Sequence, residues 1–353
     1  MHKYAFSRII RGWVPIRVAI VGVTGYAGGE LARILLRHPE VRLVAAVARS
    51  RKGEPLRDVQ PHLHGAPASL VIGSDVGDAE VVFTALPAGE AAKQAPAWLT
   101  EGRAIIDIGS DFRLRDAKDY ERWYRYAHPA PELLKEAVYG LTELTRSKIR
   151  GARVIANPGC YPTATLLALA PALKAGLIES DIVVDAKSGV SGAGHTVDEA
   201  FLYGTIDESV RPYGVPGHRH TPEIAQQAEA LSGSAPRLTF TPHLVPMTRG
   251  LIASCYAPLR TGVTAAQITD AYRTAYADEP FVRITSSYPA TKATLGSNWC
   301  LVYPLVDEAA GRLVVFGVID NLVKGAAGSA VQNMNALRGL PETMGLESLP
   351  LWP

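Results

Sequence analysis

The sequence predicts an α/β protein of two domains, a doubly wound parallel sheet followed by an α+β domain with a mixed or antiparallel sheet. In the first half, short uninterrupted apolar runs alternate with glycine turns and helical patterns, as parallel strands covered on both faces require. After about residue 156 the strand-like runs follow one another with fewer helices between them. A chain of 353 residues also exceeds one ordinary core and suits two.

Taken in order, residues 17–22 read as a buried strand, followed by a glycine-rich turn and then residues 30–36 with apolar side chains at helical spacing. A strand at 42–47 completes a βαβ unit, and the runs at 81–86 and 104–107 continue it. In the second half, 182–187, 237–245, 251–259, 299–305 and 312–320 are strand candidates, with helices chiefly at 222–231 and 264–277. Residues 325–337 are helix-like again and are expected to return to the first domain. The expected division is an extension at 1–15, a first domain at 16–156 joined by 325–353, and a second domain at 157–324. The extension carries His2, Lys3, Arg8 and Arg11 without an acid, loosely like a transit peptide. It has no small-residue cleavage site after an apolar stretch, so it reads as a frayed extension or an upstream start.

Composition excludes several function classes. No apolar run approaches the ~20 residues of a membrane span. The formal charge of +2, with both signs interspersed, leaves no basic stripe for a nucleic acid. A local cluster of arginines still accommodates small anions. Cys160, Cys255 and Cys300 are far apart with no Cys-x-x-Cys pair, which argues against a disulfide framework or a zinc site and for a reducing cytoplasm.

Gly22-Val23-Thr24-Gly25-Tyr26-Ala27-Gly28-Gly29-Glu30 lies between the first strand and the first helix. Its spacing is G-x-x-G-x-x-G rather than the usual G-x-G-x-x-G. The physics is the same: glycines let the backbone approach a pyrophosphate, and the helix N-terminus points free N–H groups at it. Gly22, Thr24, Gly25, Tyr26, Ala27 and Gly28 are therefore dinucleotide candidates in a Rossmann-like domain. The second strand runs into Ala48-Arg49-Ser50-Arg51-Lys52 with no acid before Glu54. An acid there would hold a ribose hydroxyl, whereas Arg49 with Ser50 suits a 2′-phosphate, so NADP(H) is favoured over NAD. The alternative is a solvated basic loop.

Asn157-Pro158-Gly159-Cys160-Tyr161-Pro162-Thr163 precedes an apolar helical segment. A cysteine at such a helix start is expected to ionise readily, and the same N–H groups suit an oxyanion. Cys255 and Cys300 sit inside apolar strands and read as structural. Gly217-His218-Arg219-His220-Thr221-Pro222-Glu223 offers two imidazoles as acid–base groups. Glu223, three residues past His220, is a candidate to fix its tautomer. A metal site would need a third ligand that is not in view. Arg113 follows the 104–107 strand at the sheet edge where such folds bind ligands, and Arg249 opens the 251–259 strand; both are anion candidates. Ser188-Gly189-Val190-Ser191-Gly192-Ala193-Gly194 is a second flexible loop, with Ser188, Gly189 and Gly192 able to approach a nicotinamide or substrate.

From about Arg17 to Leu346 these motifs resemble those of the N-acetyl-γ-glutamyl-phosphate reductases, in the semialdehyde dehydrogenase superfamily. The glycine loop, the cysteine motif, the histidine motif, the 188–194 loop and Asp320-Asn321-Leu322-Val323-Lys324-Gly325 all carry the resemblance. It implies a homodimer or homotetramer in the cytoplasm that reduces an acyl phosphate with NADPH through a thioester on Cys160. It also implies Asn321 beside the nicotinamide and Arg113, Asn157 and Arg249 at the substrate. His218 and His220 are not separated by it. One departure is Ala85-Leu86-Pro87-Ala88-Gly89, where the family usually has His in place of Ala88. Three other readings carry weight. A lysine-biosynthesis relative acting on a carrier-bound aminoadipyl or glutamyl phosphate tends to have Gly-Cys-Asn at the nucleophile. Aspartate-semialdehyde dehydrogenase fits the cysteine and histidine motifs less well. A non-catalytic NADP-binding regulator would not need Cys160 or the histidines.

Overall fold

The computed structural model describes residues 14–67, 69–195 and 197–353, so the predicted extension lies outside it except for Val14 and Pro15. Strands β1 (Ile16–Val21), β2 (Val41–Val47), β3 (Ile72–Gly73), β4 (Val81–Thr84), β5 (Ala104–Asp107), β6 (Val138–Tyr139) and β7 (Val154–Ala156) form one sheet in the order β3-β2-β1-β4-β5-β7-β6. Every pairing in it is parallel. The uninterrupted apolar runs follow from burial on both faces: all four residues of β4 are buried.

Helices α1 (Tyr26–Leu35), α2 (Glu90–Thr100) and α3 (Thr142–Ile149) flank this sheet. α1 starts four residues earlier than the expected run, because Gly25 already takes the N-cap conformation. β3, β6 and β7 were not foreseen; they are two or three residues long, too short to show a period.

The second sheet joins β8 (Asp181–Ser188), β9 (Arg211–Pro212), β10 (Arg237–Leu244), β11 (Leu251–Pro258), β12 (Val282–Ile284), β13 (Cys300–Asp307) and β14 (Arg312–Ile319), in the order β12-β13-β14-β11-β8-β10-β9. It is mixed: β8 and β10 run parallel, as do β12 and β13, and the rest are antiparallel. α4 (Cys160–Lys174), α5 (His220–Ser232) and α6 (Ala265–Tyr276) pack on one face. α4 comes close enough that a methyl at Gly317 would lie 2.3 Å from the Ala164 carbonyl oxygen. The opposite face is only half-buried, which explains the strict alternation of β8.

A π turn, Val323–Ala327, leads from β14 into α7 (Gly328–Leu337). α7 contributes Ala330, Val331 and Met334 to the hydrophobic cluster that includes Val18, Ile20, Val81 and Phe83 of the first sheet. The glycine turn, the β2 end, the segment after β5 and the cysteine turn after β7 all lie at the carboxyl ends of parallel strands. That is where open α/β sheets place their ligands.

Candidate active site

At the β1 end, Gly22 has φ +97°, and a methyl there would fall 2.3 Å from the Ala85 carbonyl oxygen. Gly28 lets α1 pack on the turn, where a methyl would lie 2.2 Å from Gly22 O. Gly25 has ordinary room, with 3.6 Å to its nearest neighbour. It caps α1 without any side-chain acceptor, so the first-turn N–H groups are free. Gln60 braces the turn by donating to Val23 O at 2.9 Å. Tyr26 is exposed and packs edge-on against His195, Ala27 sits against the core, and Thr24 is half-buried. Arg49 and Ser50 are exposed at the end of β2, with Arg49 ion-paired to Glu90. A glycine cradle, an uncapped helix end and an adjacent arginine fit a phosphorylated dinucleotide.

Cys160 is the first residue of α4, capped by Gly159 without a side-chain acceptor. Burial pushes its thiol up to about 11, against the lowering effects of the Tyr161 N–H and Arg113. This corrects the expectation of a ready thiolate: desolvation of the charged form outweighs the helix terminus. Cys300, enclosed in β13, is pushed further, to about 12, and Cys255 is also raised by burial. Among the three cysteines, only Cys160 is not fully buried. It opens into a cavity of about 350 Å³ shared with Ser188, Gly189, Gly192, Arg211, His218 and His220.

Both imidazoles are neutral. Burial and the Arg219 charge bring His218 down to about 4, and burial with His218, Arg113 and Arg219 holds His220 well below its usual value. The His220 N–H donates to Nδ1 of His218 at 3.1 Å, which leaves the His218 proton on Nε2. Arg113 Nη1 lies 3.4 Å from His220 Nε2, which leaves the His220 proton on Nδ1. That Nδ1 is buried and has no partner among the described residues.

Glu223 does not orient His220 as expected. It is fully buried, one oxygen accepting from Gly159 N–H at 2.9 Å and Tyr139 OH at 2.8 Å, the other facing Arg113 at 3.3 Å. One helical turn carries Glu223 beneath the imidazole to the cysteine turn instead. Arg113 sits in the same layer, donating to Asn157 O at 2.9 Å and Ile108 O at 2.7 Å. It braces the cysteine turn rather than lining the cavity. Asn157 is fully buried, donating to Ala326 O and accepting from Asn333, so its side chain does not reach the cavity either.

Arg249 is held by Glu30 at 3.1 Å and Asp320 at 3.6 Å, in a groove beside Tyr26 and His195 rather than in the Cys160 cavity. Its charge is neutralised across the two domains. Asn321 donates to Ser191 Oγ and accepts from Gly250 N–H, tying the 188–194 loop to the start of β11. Gly189 is needed where a methyl would lie 2.8 Å from Met247 O. Among the described residues, no cluster of three histidines, cysteines or acids could hold a metal.

Residues 17–152 match the semialdehyde dehydrogenase NAD binding domain, and residues 160–321 match the semialdehyde dehydrogenase dimerisation domain. The N-acetyl-gamma-glutamyl-phosphate reductases of Dehalococcoides mccartyi and Symbiobacterium thermophilum are each 50% identical to this chain. The alignments span 338 and 351 residues, 96% of this chain and 99% and 100% of those proteins. The chain belongs to the N-acetyl-gamma-glutamyl-phosphate reductase family. Its fold is shared more widely, with aspartate semialdehyde dehydrogenase II of Vibrio cholerae at a TM-score of 0.70 and 20% identity over 92% of this chain and 99% of that one. A Candida albicans aspartate semialdehyde dehydrogenase solved with NADP gives 0.66 and 15% over 92% and 99%.

This reductase-family chain is thus an oxidoreductase with a dinucleotide-binding domain, and one arginine of its cavity, Arg211, carried no expectation from the sequence. Arg211 has a buried Nε with no partner among the described residues, and Arg219 stands at the cavity wall with its guanidinium over the Tyr124 ring. The available signal was Arg211-Pro212-Tyr213, an arginine seven residues before His218 in the sequence. The Ala88 departure falls in a loop held by Asp111, which accepts from Gly89 N–H at 2.7 Å and Tyr126 OH at 3.2 Å.

Proposed function

We propose that this chain reduces N-acetyl-L-glutamyl phosphate to N-acetyl-L-glutamate semialdehyde with NADPH, in arginine biosynthesis. The observation that supports it best is one cavity holding Cys160 at a helix start, two neutral histidines and Arg211, whose buried Nε has no partner among the described residues. Arg211 suits an anionic group of the substrate, because its buried Nε has no acceptor of its own. Cys160 sulfur attacks the acyl carbon; the carbon–oxygen bond to phosphate breaks, phosphate departs and a thioester remains. The buried thiol is ionised only with help, so as attack proceeds its proton passes to His220 Nε2, which gives up its 3.4 Å contact with Arg113. NADPH, when bound, supplies the hydride that reduces the thioester carbon. The first-turn N–H groups of α4 and the free His220 Nδ1–H then face the developing oxyanion, and the carbon–sulfur bond breaks to release the aldehyde. His220 is favoured over His218 for this contact because its Nδ1 lacks any partner.

The same reading assigns the dinucleotide to residues 16–156 with 325–353, and catalysis and assembly to 157–324. The open face of the second sheet aligns Val183, Tyr256 and Val314 in one cross-strand row and Phe316 with Tyr303 in another. Two copies joined through this face would cover it, giving a homodimer, and three free thiols suit a reducing cytoplasm. The deciding assay is phosphate-dependent reduction of NADP by N-acetylglutamate semialdehyde. Wild type is expected to be active and Cys160→Ala inactive. Equal activity in the two would refute the thioester route. Inactivity of both would favour the carrier-bound substrate or the regulator.

A further inference from the structure

We propose that the buried Lys324–Glu143 ion pair is a positioning device for Cys160, acting through the π turn that carries Gly325. The proposal rests on Cys160 being the nucleophile. Lys324 is completely buried and lines no part of the Cys160 cavity. Its Nζ reaches Glu143 Oε1 at 2.5 Å and Gln332 Oε1 at 2.7 Å, and Gln332 Nε2 closes the triangle to Glu143 at 3.1 Å. The second oxygen of Glu143 has no partner among the described residues. A pair left this incompletely satisfied is a poor source of stability, since burying two charges costs several kcal/mol per ion before any attraction is counted.

Its place in the fold suggests another role. Glu143 stands in the first turn of α3 and Lys324 in the π turn, where Gly325 N–H bonds Asp320 O and Ala327 N–H bonds Leu322 O. This five-residue spacing marks a residue inserted into helical geometry, which has to be held by its surroundings. The inserted turn lies directly behind the nucleophile: a methyl at Gly325 would come 2.7 Å from Cys160 Cβ and 3.2 Å from its Cα. Asn157, from the cysteine turn itself, grips the same segment at Ala326 O at 3.2 Å. Lys324 therefore anchors to α3 a turn whose next residue backs Cys160. A shift of that turn shifts the thiol relative to the α4 N–H groups and the imidazoles.

The test compares wild type with Lys324→Met and with the double variant Lys324→Met/Glu143→Met, which replaces the ion pair by apolar side chains of similar volume. Three quantities are read: thermal midpoint, kcat and KM, and the pH profile of Cys160 alkylation by iodoacetamide without substrate, followed by peptide mass. Should the single variant not accumulate as folded protein, the double variant carries the test. The expected result is a double variant with a midpoint near wild type, KM within about twofold, kcat lower by roughly 10–100-fold, and a displaced alkylation profile. Wild-type kcat and an unchanged alkylation profile in the folded double variant would overturn the proposal, leaving the pair purely structural. Because alkylation of Cys160 is read without substrate, this outcome stays separate from a failure of the nucleophile assignment, which Cys160→Ala decides.

Discussion

The helices that open at Tyr26 and at Cys160 begin alike and serve differently. Each is capped by a glycine in extended conformation, φ −78° and ψ 166° for Gly25, φ −68° and ψ 157° for Gly159, with no side-chain acceptor and no acid in the first turn. Each presents the same sense of partial positive charge, with the N–H groups of Tyr26, Ala27 and Gly28 at α1 and those of Cys160 and Tyr161 at α4, where Pro162 has none. Around α1 the terminus is open, with Thr24 half-buried and Tyr26 exposed. Around α4 it is walled in by Arg113, Glu223 and His220, and Glu223 already consumes the Gly159 N–H. The helix end supplies a field in both places, and burial decides what the field is used for. Open, it suits a hydrated polyanion; enclosed, it surrounds a thiol that stays protonated until a base takes the proton.

The strongest way to break the comparison is to remove what encloses α4. Arg113→Met leaves Glu223 buried without its cation, although its hydrogen bonds from Gly159 and Tyr139 remain. Breaking a buried pair in this way is expected to cost about 3–5 kcal/mol, read as a lower urea midpoint at unchanged slope. A cost under about 1 kcal/mol would mean that the wall is not held by this pair.

The two caps can also be exchanged against each other. A methyl at Gly159 would lie 2.4 Å from His220 Nε2 and 2.8 Å from Arg113 Nη1, so Gly159→Ala must displace the imidazole. The expected loss is about 100-fold in kcat with KM little changed. Gly25→Ala meets only ordinary contact at 3.6 Å and should leave the fold intact, weakening NADPH binding by about tenfold as the methyl obstructs the close backbone approach. Equal effects of the two substitutions on kcat would erase the distinction.

Much of this was legible in the sequence, and the misses share one cause. The glycine turn, the cysteine turn and the histidine turn announced themselves because glycine and proline punctuate strand-to-helix junctions at short range. The long strands of both sheets were readable from apolar runs for the same local reason. Partnership across the chain was not readable. Glu223 was assigned to His220 because it is three residues away, yet its partners Tyr139, Gly159 and Arg113 lie 84, 64 and 110 positions off. Arg249 reads locally as an anion-binding candidate, and only the docked α1 brings Glu30 to it, 219 positions away. Thiol acidity failed likewise: the helix start is local, whereas the burial that overrides it is made by both domains.

That override has a measurable pH signature. With its thiol at about 11 rather than the ordinary 9.0, Cys160 in the free protein should alkylate at a rate that keeps climbing about tenfold per pH unit past 9. An ordinary helix-terminal thiol would level off well below that. The sign for stability follows from linkage: the folded chain holds this proton more tightly than the unfolded one, so stability is lost as pH rises from 9 towards 11. Cys160→Ser should make that part of the profile shallower in urea titrations without flattening it, because Cys255 and Cys300 are raised by burial as well. A plateau in alkylation near neutral pH would restore the expectation of a ready thiolate.

The smallest effect expected belongs to the open terminus. Arg49 is 79% exposed on its side chain and paired with Glu90, which also holds Lys93 at 2.8 Å. Exposed pairs of this kind contribute little to stability, so Arg49→Gln should leave the urea midpoint unchanged. Its effect should appear only with a dinucleotide present: about tenfold weaker binding of NADPH, and little change for NADH, which has no 2′-phosphate for the guanidinium to grip. Fluorescence titration of the two nucleotides separates these outcomes without turnover. Equal weakening of both would make Arg49 a general electrostatic contact. No weakening of either would return it to the solvated basic loop that the sequence also allowed. Enclosure at α4 and openness at α1 thus predict opposite patterns, stability and rate at one end, and affinity with no cost in stability at the other.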